Sequence, residues 1–192
     1  KMKELLAEKA YGKLFQLSIW TEQLTRREGG HWAQKKETLG GGQFFSHGCH
    51  YVDLMLWMAG RPVRGTHIGT TLGTPWMEGE GTSNVTIEFE GGVLGYHFGT
   101  WGARGTRLGY SFHAHCEEGT LEIALRSGQL IAHTRSEEHD SGKLIAKQKE
   151  EILLEAPSAK HTELEMSHFI DCIQTGNRPL TDAIGRLEGL QV

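Results

Sequence analysis

Long apolar runs are missing from this chain. No stretch approaches the roughly 18 residues that a membrane-spanning helix needs, and the first residues, KMKELLAEKAYGK, lack the apolar core of a secretory signal. Cysteine is scarce. Cys49, Cys116 and Cys172 are odd in number and widely spaced, with no CxxC pair. This argues against a disulfide framework and for a reducing compartment, so a cytoplasmic location is expected. An excess of positive charge is also lacking. The formal net charge is −4 and Lys and Arg are scattered, so no basic face for nucleic acid is expected. No GxGxxG follows a strand-like run. There is no phosphate-binding P-loop, no GxSxG nucleophile turn, no HExxH and no internal repeat. Dinucleotide binding through a fingerprint turn, serine-hydrolase chemistry and zinc-protease chemistry have no motif here.

What is present is glycine, 26 residues of 192, and histidine, 11 residues. The length suits one core and one domain spanning residues 1–192. Residues 1–10 read as the tail of a helix with Gly12 near its end. FQLSIW reads as a strand, and residues 25–42 as a long polar loop of a kind that is often functional. Ser46 is a plausible N-cap for a helix running to about Ala59, which Gly60 ends and Pro62 keeps from resuming. Beyond it the period changes from about 3.6 to 2. Val85, Ile87 and Phe89 alternate with polar residues, Glu90-Gly91-Gly92 turns the chain, and Leu94, Tyr96 and Phe98 alternate on the way back. Tyr110, Phe112, Ala114 and Cys116 share one face of a later strand; Ser111, His113 and His115 share the other. Residues 136–150 read as charged and exposed, with EEILLEA as a last strand. Met166, Phe169, Ile170 and Ile173 make a helical stripe, and a further helix is expected from Thr181 or Asp182, with Ile184, Leu187 and Leu190 inward. Both ends read as cut from something longer. The order predicts an α+β fold: a large, open, mainly antiparallel sheet covered on one face by helices. The other face is free to join a second copy, as a homodimer or homotetramer.

The densest chemistry lies in GGGQFFSHGCHYVDLMLWMAG, Gly40–Gly60. His47, Cys49, His50 and Asp53 invite a metal. Yet His47 and Asp53 lie about 240° from superposition around a helix, so the set does not converge and no metal is expected. An acid–base role fits better. His50 lies near a helix N-terminus, whose positive end disfavours the imidazolium, and Asp53 one turn later can fix its tautomer. The residues by themselves leave a second reading open, a half-buried histidine satisfying backbone groups.

The order glycine run, Ser46, Gly48-Cys49-His50, Asp53, then Leu54, Trp57 and Gly60 resembles the second-domain signature of the Gfo/Idh/MocA (glucose–fructose oxidoreductase/inositol dehydrogenase) family. YGKLFQLSIW, the Gly91-Gly92 turn and HTELEMSHFIDCIQTGNRPLTD resemble three further elements of that domain, so the likeness spans nearly the whole chain. It implies an NAD(P)-dependent oxidoreductase acting on a sugar, polyol or related hydroxyl compound. NAD or NADP would be bound mainly by an N-terminal Rossmann domain absent from these residues, along with the family's Glu-Lys-Pro lysine. The chain alone would then be inactive. By the same resemblance His50 is the acid/base, Asp53 its partner, and Ser46 stands where the family usually keeps an aspartate. Serine there can hydrogen-bond but cannot act as a carboxylate base. His47 occupies a variable position beside it and is a candidate substrate contact. Trp32, in the long loop, can lie against a sugar face. The alternative implied is a redox-inactive sugar-binding or oligomerisation domain of the same fold.

Overall fold

The computed structural model describes residues 1–140, 143–156 and 162–181. In chain order the elements are α1 (Met2–Ala7), β1 (Leu14–Glu22), a 3-10 turn (Trp32–Gln34), α2 (Lys36–Leu39), a π-helical turn (Phe44–Gly48), α3 (Cys49–Ala59), β2 (Pro62–Thr70), β3 (Thr82–Phe89), β4 (Leu94–Thr100), β5 (Tyr110–Cys116), β6 (Gly119–Ala124), β7 (Gln129–Asp140), β8 (Lys143–Glu155) and α4 (Thr162–Thr175). The strands form one eight-stranded sheet in the order β2-β3-β4-β1-β5-β6-β7-β8. The expected α+β class and helix-covered sheet are what the chain adopts.

Two features of the sheet differ from a simple meander. The first strand in sequence lies in the middle, antiparallel to β5 but parallel to β4, with Leu17 opposite Gly95 and Ile19 opposite His97. Parallel neighbours need a long crossover, and the loop, α2, α3, β2 and β3 supply it. The described part of the charged stretch 136–150, exposed at 136–137 and 146–150, is strand. Residues 136–140 continue β7 and 143–150 belong to β8, with Ser136 opposite Lys147 and Asp140 opposite Lys143. EEILLEA is the end of β8 rather than a separate strand.

The core lies on one face of the sheet. Leu17, Ile19, Val85, Ile87, Phe89, Phe112, Ala114, Leu121, Leu130 and Ala132 point there and meet Met2 of α1 with Val52 and Met55 of α3. Their alternation with polar residues is the period-2 signal of the sequence. Helix α1 ends earlier than Gly12: Glu8 is its C-cap and Lys9 takes the left-handed conformation, φ 53°. Gly60, φ 89°, closes α3 with its N–H on the Leu56 carbonyl at 2.9 Å, as a C-terminal glycine does. Trp57 stays half-exposed on the outer side of α3 with the Lys3 ammonium 4.2 Å from its ring centroid. The α4 stripe of Met166, Phe169, Ile170 and Ile173 is exposed. The helix expected from Thr181 or Asp182 lies outside the described residues, apart from Thr181 itself.

Candidate functional site

The Gly40–Gly60 stretch enters its helix earlier and differently than a serine cap implies. Helical backbone begins at Phe44 as a π turn and runs into α3 without a break. Ser46 is therefore inside the turn and is not the N-cap. The first donors are met from far along the chain: Gln43 N–H donates to the Glu80 carbonyl at 2.6 Å, and Phe44 N–H to the Glu80 carboxylate at 3.1 Å. An acidic group at a helix N-terminus is favourable for both hydrogen bonding and dipole reasons. Glycine permits the approach, since a Cβ on Gly42 would fall 1.8 Å from the Glu80 carboxylate. The π turn carries one extra residue per turn, a deformation frequent at functional sites. Gly48 fits within it because a Cβ there would lie 2.7 Å from the Phe44 ring and 3.2 Å from the His97 ring.

The turn delivers His47 into a set of side chains from four strand ends. Its ring lies 5.1 Å from Tyr51, 5.9 Å from Tyr110 and 6.3 Å from Trp101, between centroids. Its hydrogen bonds run in one consistent direction. Ser83 O–H donates to Gln43 Oε1 (3.2 Å), and the Gln43 amide N–H reaches His47 Nδ1 (3.3 Å). His47 Nε2 meets the Tyr110 hydroxyl (3.3 Å), which itself donates to Gln23 Oε1 (2.7 Å). With the Tyr110 proton committed to Gln23 and Nδ1 accepting from Gln43, the network selects the neutral His47 tautomer protonated on Nε2. Gln43 and Ser83 are fully buried, so this orientation is held by packing.

Beneath His47 lies His97 of β4, with none of its surface exposed. It stacks on Tyr51 (5.5 Å, 11°), and its Nε2 meets Thr21 Oγ1 at 3.0 Å. Its Nδ1 is buried with no hydrogen-bond partner. Burial, and then repulsion from the His47 ring when that is protonated, pull His97 down to about 4, so it is neutral near pH 7. Tyr51 is pushed well above the usual phenol range by burial and then by Tyr110. These groups are poised as hydrogen-bonding, uncharged walls.

His50 sits one turn beyond, on the exposed surface of α3, its ring perpendicular to that of His47 at 6.5 Å. Asp53 follows it on the helix, half-buried; burial, with a smaller contribution from the Asp53 charge, raises the Cys49 thiol. Ser46 is half-buried. His47 and His50 are thus brought together, with Ser46 and Asp53 on the same helical segment. Trp32 is set apart: its ring is 56% exposed and lies against His31 at 5.3 Å. The loop bearing it is nevertheless anchored, since Ala33 is buried with Leu39, Met77 and Trp101. Sequence reasoning missed His97, Tyr51, Tyr110, Gln43 and Gln23. Only Gln43 and Tyr51 had a signal, their place within the glycine–histidine segment; the others approach through strand pairing. Among the described residues no three His, Cys, Asp or Glu side chains group as a metal site.

Residues 1–122 match the family model described as the GFO/IDH/MocA C-terminal domain. The chain belongs to that family. No curated protein matches it. Among solved structures, the chain is similar to an aldose-aldose oxidoreductase from Caulobacter crescentus complexed with glycerol. That match has a TM-score of 0.75 and 18% identity, over 98% of this chain and 54% of the other. The WlbA dehydrogenase from Bordetella pertussis, in complex with NADH and UDP-GlcNAcA, aligns with a TM-score of 0.71 and 20% identity over 98% and 53%. A levoglucosan dehydrogenase in complex with NADH and levoglucosan gives 0.76 and 17% over 98% and 57%. At these identities the likeness concerns the fold. The GFO/IDH/MocA domain of this chain spans about half the length of the solved structures it matches.

Proposed function

We propose that this chain is the substrate-binding half of an NAD(P)-dependent oxidoreductase acting on a hydroxyl carbon of a sugar, polyol or related compound. The observation that carries the reading is the pairing, within the family's motif segment, of a tautomer-locked, half-buried His47 with a solvent-accessible His50 at 6.5 Å. The chain has no glycine-rich pyrophosphate turn, so the dinucleotide belongs to a second, N-terminal domain. The residues present fit the reacting end only, where uncharged side chains and an accessible base suit a hydroxyl substrate. A nicotinamide, when bound, supplies hydride acceptance or donation.

His50 takes the hydroxyl proton as the carbon is oxidised and returns it in reduction. An imidazole suits this because its ordinary pKa is close to working pH. Asp53 acts on it from one helical turn away and favours the imidazolium that forms. His47, neutral and oriented by Gln43 and Tyr110, hydrogen-bonds a substrate hydroxyl. Ser46, in the family's aspartate position, offers a hydroxyl in place of a carboxylate. Trp32 covers the C–H face of the sugar ring.

The test is His50→Ala in the longer protein that pairs this domain with its dinucleotide partner. Turnover should fall by roughly 10²–10⁴, the usual worth of a positioned proton-transfer group. Unchanged turnover would leave His50 a surface histidine. Sugar binding with no cofactor-dependent turnover in that protein would favour the redox-inactive binding domain.

A further inference from the structure

One cluster near the site is not used by this reading. Arg26 and Arg27, just past the end of β1, face Arg104 across a cleft of about 250 Å³ that Leu24 and Trp76 also line; Glu28 is its single carboxylate. The chain as a whole is negative, −4, so three arginines against one acid is a local inversion of sign. Arg26, Arg27 and Arg104 have no ion pair among the described residues.

The backbone carrying these arginines is fixed. Leu24 bridges Gly102, Thr25 N–H donates to the Trp101 carbonyl at 2.8 Å, and Ala103 N–H donates to the Gln23 carbonyl at 3.2 Å. The Gln34 amide holds the Arg27 carbonyl at 2.9 Å. Gly102 rests against Gly73, where a Cβ would come 2.8 Å from the Gly73 carbonyl oxygen. The cleft also adjoins the His47 cluster by two routes. Trp76 stacks on Trp101 (6.2 Å, 14°), which lies 6.3 Å from His47. Gln23, adjacent in sequence to Leu24, receives the Tyr110 hydroxyl that meets His47.

We propose that this arginine cleft is an anion subsite, and that the hydroxyl compound handled at His47 and His50 carries a carboxylate or a phosphate. The proposal rests on the functional reading above. Guanidinium groups present planar paired donors to either oxyanion. At about 250 Å³ the cleft is ample for one anionic group. Trp76 offers a ring face to the carbon skeleton leading away from it.

Calorimetry at low ionic strength, on the chain as it stands, tests this with gluconate, glucose 6-phosphate and neutral glucitol. At least one anion should bind about tenfold or more tightly than glucitol, and Arg104→Gln should remove that margin, the worth of one charge-assisted hydrogen bond. The double variant Arg26→Gln/Arg27→Gln, on an exposed loop, should do the same. Preference for gluconate assigns a carboxylate, and preference for glucose 6-phosphate a phosphate. Equal affinity for glucitol, no binding of either anion, or binding indifferent to all three arginines overturns the subsite. The functional reading fails separately. Arginine-dependent anion binding with no cofactor-dependent turnover in the longer protein leaves the subsite and removes the oxidoreductase. Turnover of neutral polyols without any anion preference does the reverse.

Discussion

Ser46 lies within a turn whose first amides are already held by Glu80, so it has no capping duty and its hydroxyl is available to the site. Placing a carboxylate there tests what the serine changed. Under the proposed function, Ser46→Asp should move the acid limb of the kcat/KM profile to higher pH, because a nearby carboxylate favours the imidazolium form. An unmoved limb would put the side chain out of electrostatic reach of His50. His97 gives a second prediction at this scale. Its folded pKa, about 4, is below the ordinary value of 6.5, so between those values the unfolded chain binds the extra proton. Stability from this residue is therefore complete above pH 6.5 and declines as pH falls toward 4, by on the order of 3 kcal/mol over the whole interval. Urea midpoints across that range should show the decline in the parent and a shallower one in His97→Gln. Parallel curves would mean that His97 is not buried as a neutral group.

The elements meet at places where a side chain has been omitted. Gly95 of β4 lies beneath α3, and a Cβ there would be 2.8 Å from the Phe89 ring and 3.1 Å from the Met55 sulfur. Gly99, four residues on, leaves the same kind of room for Gln43 and His97. Gly95→Ala should cost about 1–3 kcal/mol through overpacking and lower the melting temperature by several degrees in calorimetry. A neutral effect would show that α3 can slide on the sheet. The helical and strand periods were readable in the sequence because each follows from local backbone geometry. The π turn was not. A serine followed by histidines has the composition of a capped α-helix, and only Glu80, distant in sequence, shows that the turn starts earlier.

At the scale of the molecule, among the described residues, the sheet has one helix-covered face and one bare one. Leu94, Tyr96 and Phe98, with Trp20, lie opposite the helix-covered core. Tyr96 and His113 pack on Trp20 at 6.2 Å and 5.1 Å. His113 is further held by Ser111 (2.7 Å), and Glu122 by His133 (2.7 Å), so this face is a structured mixture of aromatic and polar groups. A dimer or tetramer through this face, expected from the sequence, should appear in light scattering as a multiple of the 21.4 kDa chain mass. Tyr96→Glu should dissociate it, since a carboxylate at a packed interface is costly to bury. Phe169→Ser, on the exposed stripe of α4, should not. Monomer at high concentration, or dissociation by the α4 variant alone, would assign the contact elsewhere.

The sequence by itself determined the class of fold, the helix from the glycine–histidine segment to Gly60, the alternation of the strands and the family signature. Each rests on residues near one another in the chain, where helix and strand periods and turn chemistry act. The tertiary structure decided which alternating set faces the helices. Leu94, Tyr96 and Phe98 carry the apolar signal of β4, yet Gly95, His97 and Gly99 face α3, because the register opposes Ile87 to Gly95 and Val85 to His97. It also decided which histidine is held in place. His47 meets Gln43 within its own turn, but Tyr110, and through it Gln23, come from β5 and the end of β1, which are neighbours because β1 is inserted between β4 and β5, a placement set by strand pairing over long sequence distances and by no local pattern.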